Sequence, residues 1–519
     1  MLSLLGVGAI GAAVIASQRR PGPTTHPASA VGGGQGAGTP AGRAPGPHLT
    51  PTVERTHAGI PRQWARRVNP VGIENALRGD TRWKVGGLRV VDDVGRQIQG
   101  YASHSSVNLG ENIDFHVALA NAEDFAIDIV RIGHYGGAGG RRVARSPRLR
   151  GRPRRAPAAG DAGQIRCRWP RSWRLAVPPD WTSGVYLAVF RSANGWRSAT
   201  PFVVRDDSRT AALRVVLPFY TYQAYNQWPA DGRAGKSLYY GYDRAGQRVW
   251  TERAAKVSFD RPYAGAGLPS RCAVDLDAVR WLERHSYDVA YLASDDLDIG
   301  RTEAGRQRGL VFCGHDEYWT AAMRGNAESL LAQGVSLAFL AANNVYWRSR
   351  VEGARRGRPA RTLVCYKEAP DPRPGGTHRW RDDRASPREP EQRLLGAQFN
   401  GIVRGRWPLV VTGADHWFWA GCGVADGDHI GGVVGVEADG VASSVPVEGS
   451  RTVLAASPYR DRGGASKTQH TVVRELPNGA LVFLAGSMDW PVAMARPGRR
   501  DPRIERATRN VLDRIGRTV

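Results

Sequence analysis

Three consecutive side chains that can exchange protons or bind a metal ion, His315, Asp316 and Glu317, follow a short apolar run. The run, 310–313, stops at Gly314, and a long helical pattern comes after the acidic residues. This order predicts a buried strand whose carboxyl end opens into a loop and then a helix. Ligands of open α/β sheets bind just beyond the carboxyl ends of the strands. We therefore expect a functional site here. The alternative is that these charged residues form a loop exposed to solvent.

Tyrosine and amide side chains follow two further apolar runs. Tyr222 and Tyr225 come soon after the run 213–217, and Asn343 follows the run 335–341. Because the carboxyl ends of parallel strands lie along one edge of a sheet, these side chains could share a pocket with the acidic cluster. A tyrosine at a strand end is more often a packing residue with a solvated hydroxyl, so the phenols alone do not identify a ligand.

The elements before residue 207 have the period of strands. Short stretches there alternate apolar and polar residues and are separated by turn residues, which is typical of an antiparallel β-sandwich. The predicted strands are 97–102, 113–119, 126–132, 173–177, 184–190 and 202–204. We expect this β-sandwich domain to span residues 64–207.

After residue 208 the pattern changes to continuous apolar strands that alternate with helices. The predicted strands are 213–217, 289–293, 310–313, 335–341 and 481–485, and the predicted helices are 275–284, 320–332 and 503–515. Such alternation indicates a mainly parallel sheet covered on both faces. We expect an α/β domain over 208–519, interrupted by a Trp- and Gly-rich, partly β insertion over 408–436.

The charge of the chain does not indicate a nucleic-acid partner. The formal net charge is +24, yet only five of the 72 basic residues are lysine. Arginine-rich, lysine-poor composition that runs through every segment is typical of a coding bias, whereas a nucleic-acid surface clusters its basic residues among aromatic ones. We therefore predict that the protein binds no nucleic acid.

The amino-terminal region predicts export. An apolar run of small residues over 2–16 is too short for an ordinary membrane span and resembles the core of a signal peptide, although no positive charge precedes it. We expect a signal peptide or signal anchor over 1–20 and a disordered Pro- and Gly-rich linker over 21–63. The protein would then be extracellular or anchored at the cell surface, with no other membrane contact.

The five cysteines contain no C-x-x-C pair, which argues against a zinc ribbon or thioredoxin-type chemistry. Export permits a disulfide, but the odd number leaves at least one thiol unpaired. Cys313 could be a nucleophile like that of class I glutamine amidotransferases, whose flavodoxin-like fold the α/β domain resembles. Because Cys313 lacks the G-x-C-x-G elbow, we interpret it as a buried core thiol.

Four motifs of the α/β region together resemble the C-terminal domain of the N,N-dimethylformamidase large (beta) subunit family. They are Tyr222-Gln223-Ala224-Tyr225-Asn226, Val257-Ser258-Phe259-Asp260-Arg261-Pro262-Tyr263, Gly314-His315-Asp316-Glu317-Tyr318-Trp319 and Asn343-Asn344. The segment 101–141 is similar to the β domain that precedes it in such proteins. The resemblance extends over about residues 65–515.

This resemblance implies a mononuclear ferric ion, Fe3+, bound by two tyrosines and one glutamate. Carried over motif by motif, Glu317 is the carboxylate and Tyr225 and Tyr263 are the phenolates, with Tyr222 as the rival of Tyr225. The set is chemically reasonable, because hard oxygen donors suit a hard, highly charged cation. Two phenolates and one carboxylate also neutralise its three positive charges.

The resemblance further implies hydrolysis of a small amide, with a homo-oligomer or a small partner subunit. His315 would act as general base or hold the water, and Asn343 would donate to the developing oxyanion. Lys367 and Glu437 resemble further polar residues of the family's pocket. Asp489, which follows the last predicted strand, is a further candidate for the lining.

Two other functions fit the residues. The chain could be a non-catalytic cell-surface binding module whose α/β domain has lost its metal. It could also be a metal-free carbohydrate-active hydrolase that uses Asp316 and Glu317. Adjacent residues rarely point in the same direction, which argues against such a carboxylate pair.

Overall fold

The computed structural model describes residues 69–86, 89–354, 360–382 and 388–516. The predicted signal segment (1–20) and linker (21–63) lie outside the described residues, and the boundary at 207/208 stays a prediction. Within the described ranges, no helix has the length and apolar character that crossing a membrane requires.

The first part of the chain forms two β-sheets. After helix α1 (Pro70–Asn75), the strands are β1 (Ile98–Ala102), β2 (Ser106–Asn108), β3 (Asn112–Leu119), β4 (Asp124–Ile132), β5 (Gly140–Arg145), β6 (Leu149–Arg150), β7 (Trp173–Ala176), β8 (Gly184–Ser192) and β9 (Arg197–Arg205). One sheet has the order β1-β3-β7 and the other has the order β2-β9-β8-β4-β5, with β6 on β4. All pairs are antiparallel except β2 with β9.

The two sheets enclose a shared apolar core, as the alternating sequence predicts. Phe115 of β3 contacts Phe190 of β8 and Phe202 of β9, with ring centroids 6.5 and 5.7 Å apart. All three phenylalanines are completely buried. Every second residue of these strands is apolar because it faces the opposite sheet.

The second part of the chain is richer in strands than the sequence suggests. Its strands are β10 (Leu213–Leu217), β11 (Gly241–Tyr242), β12 (Arg248–Val249), β13 (Lys256–Ser258), β14 (Val289–Ala293), β15 (Gly309–Phe312), β16 (Tyr318–Thr320), β17 (Ser336–Phe339), β18 (Trp347–Glu352), β19 (Thr362–Val364), β20 (Gln398–Val410), β21 (His429–Gly440), β22 (Ser450–Arg460), β23 (Ser466–Glu475) and β24 (Leu481–Leu484). Its helices are α2 (Phe219–Tyr225), α3 (Cys272–Arg284), α4 (Ser294–Asp298), α5 (Ala321–Ala332), α6 (Glu391–Leu395), α7 (Trp490–Ala495) and α8 (Pro502–Gly516).

A seven-stranded sheet with the order β14-β10-β15-β17-β24-β23-β22 is the centre of this part. Its first five strands are parallel, and β23 and β22 extend it in antiparallel fashion. The parallel strands are mostly apolar, with Arg214 and Ser336 as exceptions, because helices and loops bury both of their faces. The β-rich, multi-sheet architecture is therefore confirmed, whereas the finer flavodoxin-like or glutamine amidotransferase-like assignment stays a prediction.

Two local differences from the sequence prediction have clear causes. The acidic loop does not lead directly into a helix, because Tyr318–Thr320 first forms strand β16, which pairs with β18. Three residues are too few to show a strand period. The predicted insertion over 408–436 is part of a longer hairpin of β20 and β21, whose register shifts break the alternation of the sequence.

A buried ion pair joins the first β region to the second. Arg131 of β4 donates to both oxygens of Glu283 on α3, at 2.9 and 2.8 Å, and both side chains are fully buried. Asn75 and Tyr291 donate to the same carboxylate, at 2.8 and 2.9 Å. The Glu283 carboxylate thus accepts four hydrogen bonds, and separation of the two regions would leave its buried charge without a charged partner.

Candidate functional site

The carboxyl ends of three neighbouring parallel strands meet at the predicted site. Strand β10 leads into α2, β15 leads into the loop 313–317, and β17 leads to Asn343. The hydroxyl of Thr221 on α2 accepts a hydrogen bond of 3.0 Å from the backbone N–H of Glu317, and Asn344 accepts one of 3.0 Å from that of Asp316. The acidic loop is thus bonded to the elements on both sides of it.

The loop passes so close to helix α3 that its second residue must be glycine. A Cβ atom at Gly314 would lie 1.9 Å from a carboxylate oxygen of Asp275. The apolar run of β15 and Cys313 is therefore followed by a position that has no room for a side chain.

Glu317 is the centre of the site. Its Oε2 accepts a hydrogen bond of 2.7 Å from the hydroxyl of Tyr225, and its Oε1 accepts one of 2.5 Å from the hydroxyl of Tyr239. The two tyrosine rings stack, with centroids 4.5 Å apart. Glu317 and Tyr239 are buried and Tyr225 is half-buried, so three oxygen donors converge in a largely dry environment.

Burial governs the ionisation of these groups. Burial and the neighbouring charge of Glu317 raise the pKa of Tyr225 and of Tyr239 well above the ordinary value for a phenol. Burial also raises the pKa of Glu317, while the charge of Lys367 opposes the rise. Without a metal ion beside them, both tyrosines therefore keep their protons at neutral pH.

Lys367 lies on the other face of Tyr239. Its Nζ is 3.3 Å from the centroid of the Tyr239 ring and 4.7 Å from that of Trp347, and the side chain is buried. Burial lowers the pKa of Lys367 to about 8, while the charge of Glu317 opposes the shift. Trp347 also donates a hydrogen bond of 3.3 Å to the Tyr239 hydroxyl. These contacts hold the Tyr239 ring in place.

His315 bridges Glu317 and a second carboxyl group. Its Nε2 is 3.6 Å from an oxygen of Glu317 and 3.6 Å from an oxygen of Glu437 on β21, and it has no hydrogen-bond partner among the described residues. Asn343 donates a hydrogen bond of 2.9 Å to Glu437. Burial lowers the pKa of His315 to about 3, with a smaller effect of the Arg271 charge, and burial raises the pKa of Glu437 to about 8.

The described contacts thus unite six of the seven residues predicted for the site: Tyr225, His315, Glu317, Asn343, Lys367 and Glu437. Tyr263 is buried elsewhere, near Cys272 and Arg261, and burial raises its pKa. Within the described structure, no hydrogen bond joins Tyr263 to Glu317. Its role as a ligand stays a prediction, and so do the roles of the other six.

Other candidates lie beside the site rather than in its centre. Tyr222 donates its hydroxyl proton to Asp275. Asp316 accepts a hydrogen bond of 3.2 Å from Thr221. Asp489 accepts one of 2.9 Å from Arg406. Each of these groups therefore has a partner other than Glu317.

The cysteines provide no nucleophile at the site. All five are buried and free of disulfide bonds. Cys313 is 1% exposed, and burial raises the pKa of its thiol far above neutrality, so it is not a thiolate. This agrees with its interpretation as a core residue.

Tyr239 is the residue that sequence reasoning missed. It lies in an irregular segment between α2 and β11, where no strand or helix period applies. Its only sequence signal is a pair of adjacent tyrosines with Tyr240, which is too common to identify a site.

The described residues contain no group of three or more His, Cys, Asp or Glu side chains that could hold a metal ion. Tyr225 and Tyr239 are the tyrosines whose hydroxyls contact the Glu317 carboxylate.

Comparison with known proteins identifies the family. The family described as N,N-dimethylformamidase beta subunit-like, C-terminal, matches residues 126–504. The chain belongs to this family. The resemblance that the four sequence motifs indicate is thereby confirmed, and the match runs from β4 to the start of α8.

Individual relatives in this family are distant. The N,N-dimethylformamidase beta subunit of Paracoccus aminophilus is 24% identical over 212 residues, and that of Alcaligenes sp is 25% identical over 213 residues. Each match covers 35% of this chain and 28% of the relative, so the shared part is less than a third of the relative's length. A cycloisomaltooligosaccharide glucanotransferase of Paenibacillus sp. matches with 9% identity and a TM-score of 0.15, over 46% of this chain and 44% of the other. This similarity is too low to indicate a shared fold.

Proposed function

We propose that this chain is a metal-dependent hydrolase of a small amide, in which Tyr225, Tyr239 and Glu317 hold a ferric ion. The supporting observation is that the two oxygens of one buried carboxylate each accept a hydrogen bond from a different tyrosine. Carboxylate and phenolate are hard donors that suit Fe3+. Loss of the two phenol protons on binding would give three negative charges for a trivalent cation.

The proposed ligand set replaces Tyr263, the second tyrosine taken from the sequence motif, with Tyr239. Tyr263 lies among Cys272 and Arg261, whereas Tyr239 contacts the carboxylate directly.

The fold offers support at the level of topology. Numbered along the chain, the five parallel strands have the order 2-1-3-4-5, which is the flavodoxin-like order. In that order the ligand crevice opens between the first and third strands, here β10 and β15. Tyr225 follows β10 and Glu317 follows β15. We therefore propose a flavodoxin-like α/β core with the metal at its topological switch point.

A ferric ion held by Tyr225, Tyr239 and Glu317 would supply Lewis-acid chemistry for the hydrolysis of an amide. The neutral His315 accepts a hydrogen bond from the attacking water at its Nε2 and orients it. Its low pKa makes it a weak proton acceptor.

Glu437 is the better proton carrier. Its pKa of about 8 lets it take a proton from the attacking water and deliver it to the leaving nitrogen near neutral pH. Asn343 donates to Glu437, so we propose that it orients this carboxyl group. This differs from the oxyanion role that the sequence suggested. In the reaction a C–O bond forms at the carbonyl, the C–N bond breaks, and the amine leaves with the proton.

The other two hypotheses receive less support. Asp316 and Glu317 have separate partners, Thr221 and the two tyrosines, and no described contact joins the two carboxyl groups as a glycosidase pair. A non-catalytic surface module would lack both bound iron and activity. Export and a small partner subunit or homo-oligomer remain proposals that accompany the hydrolase function.

The direct test is metal content and amide hydrolysis of the purified full-length chain. We expect about one iron per chain by elemental analysis and a visible tyrosinate charge-transfer band. We also expect amine release from small amides such as N,N-dimethylformamide. The matched control is Glu317→Gln, which keeps the size of the side chain and should lose iron, colour and activity together. Protein that stays colourless and iron-free after reconstitution with iron salts would refute the proposal.

A further inference from the structure

Two cations flank the site, and only one of them is accessible from solvent. Lys367 is 1% exposed beneath the ring of Tyr239. The side chain of Arg271 is 29% exposed and is linked to the backbone of Glu437 through hydrogen bonds of Met488. A charged group that enters from solvent can therefore reach Arg271 but not Lys367.

The backbone of Arg271 has an unusual conformation, and its side chain is held by a hydrogen bond. Its φ angle is +63°, in the left-handed region that costs an L-residue energy, and it immediately precedes α3. Its Nη2 donates a hydrogen bond of 2.9 Å to the carbonyl of Met488. The N–H of Met488 in turn donates one of 3.1 Å to the carbonyl of Glu437. Arg271 is thereby anchored beside the proposed proton carrier.

The anchoring leaves most of the guanidinium available. The carboxylate closest to it is that of Asp489, at 3.8 Å, which is longer than a hydrogen bond. Asp489 already accepts a hydrogen bond of 2.9 Å from Arg406. A guanidinium has five N–H donors, and the described contacts of Arg271 use one of them.

The charge of Arg271 acts on the site. It lowers the pKa of both His315 and Glu437. It lowers the pKa of Asp275 as well. Arg271 immediately precedes α3, and the Asp275 carboxylate of that helix would lie 1.9 Å from a Cβ atom at Gly314 of the acidic loop.

We propose that Arg271 binds a carboxylate group at the entrance of the site. The fork of parallel N–H donors matches the two oxygens of a carboxylate. The carboxylate has two potential sources, an anionic amide substrate or the acid that amide hydrolysis releases. The choice of these two sources rests on the proposed hydrolase function. Binding of a carboxylate to Arg271 can nevertheless be measured without turnover.

The first experiment measures binding by calorimetric titration of formate and of the N-formylglycine anion into the full-length protein. We expect Arg271→Gln to weaken the affinity for at least one of these anions about tenfold, and Arg271→Lys to restore part of the loss. The matched control is Arg406→Gln, which removes the shorter contact to Asp489 and should leave both affinities unchanged. Equal affinity in wild type and Arg271→Gln would overturn the proposal. An equal loss of anion affinity in Arg271→Gln and Arg406→Gln would also overturn the proposal. Arg271 would then affect binding only through the position of Asp489.

The second experiment separates the two sources by kinetics. If the substrate carries the carboxylate, Arg271→Gln raises KM about tenfold for the N-formylglycine anion and leaves KM for neutral N-formylglycinamide unchanged. If the product carries it, the variant weakens inhibition by formate about tenfold for both substrates. A variant that changes neither quantity contradicts the proposal. A protein that hydrolyses no amide contradicts the proposed function instead, and the titration still decides whether Arg271 binds carboxylates.

Discussion

Tyr239 donates a hydrogen bond of 2.5 Å to Glu317, although 78 residues of sequence separate them. Tyr225 donates to the other oxygen of the same carboxylate from the end of α2. The ferric ion proposed above would account for two tyrosines that share one buried glutamate. In its absence, the same contacts leave a neutral phenol pair around a carboxyl group whose pKa is raised.

The choice of the second tyrosine is directly testable. We expect Tyr239→Phe to lose bound iron and the visible charge-transfer band, because it removes one phenolate ligand and little else. Tyr263→Phe should keep both, since its hydroxyl lies near Cys272 and Arg261. Elemental analysis and visible absorption of the two purified variants give the answer. Iron lost from Tyr263→Phe and retained by Tyr239→Phe would restore the ligand set taken from the sequence motif.

Replacement of the proton carrier should slow turnover without loss of the metal. Glu437→Gln keeps the hydrogen bond from Asn343 but cannot carry a proton. General acid–base catalysis contributes about 10²- to 10⁴-fold, so we expect kcat to fall at least 100-fold while iron content stays near that of the wild type. Steady-state kinetics on a small amide, together with metal analysis, tests this. A nearly normal kcat would exclude Glu437 as the carrier.

Stability should depend on pH through Asp275. Burial raises its folded-state pKa to about 7 from the ordinary 3.8, so the folded protein binds this proton more tightly than the unfolded chain does. The stabilisation is present at low pH and is lost as the pH rises through 7. It amounts to about 3 kcal/mol between pH 5 and pH 8. We expect Asp275→Asn to show a smaller fall in the free energy of unfolding over this range, measured by denaturant unfolding at both pH values. Parallel profiles for variant and wild type would contradict this assignment.

The ion pair between the two β regions should be sensitive to the loss of either partner. Arg131→Met leaves the buried charge of Glu283 without its guanidinium and should cost about 3–5 kcal/mol of unfolding free energy. The control, Arg82→Met, breaks an ion pair with Asp80 whose arginine is 73% exposed, and should have no measurable effect. Denaturant unfolding of both variants provides the comparison. An Arg131→Met protein as stable as the wild type would show that the pair does not stabilise the fold.

The regular part of the fold could be predicted well from the sequence. The predicted strands 213–217 and 289–293 have the bounds that the structure has for β10 and β14. Apart from Arg214, their residues are hydrophobic, because both faces of a parallel sheet are covered. The same physics places Glu317 beyond the carboxyl end of β15. The three-residue strand β16 was missed because it is too short to show a period.

The sequence by itself determined that an acidic cluster stands at a strand end, that tyrosines and amides accompany it, and that the chain carries the motifs of its family. These properties depend on residue type and short-range period. Only the tertiary structure decided which hydroxyl groups reach Glu317. Tyr239 lies in an irregular segment, and its ring is positioned by Trp347 and Lys367, which come more than 100 residues later. No local pattern records such long-range packing, so the choice between Tyr239 and Tyr263 required the folded chain.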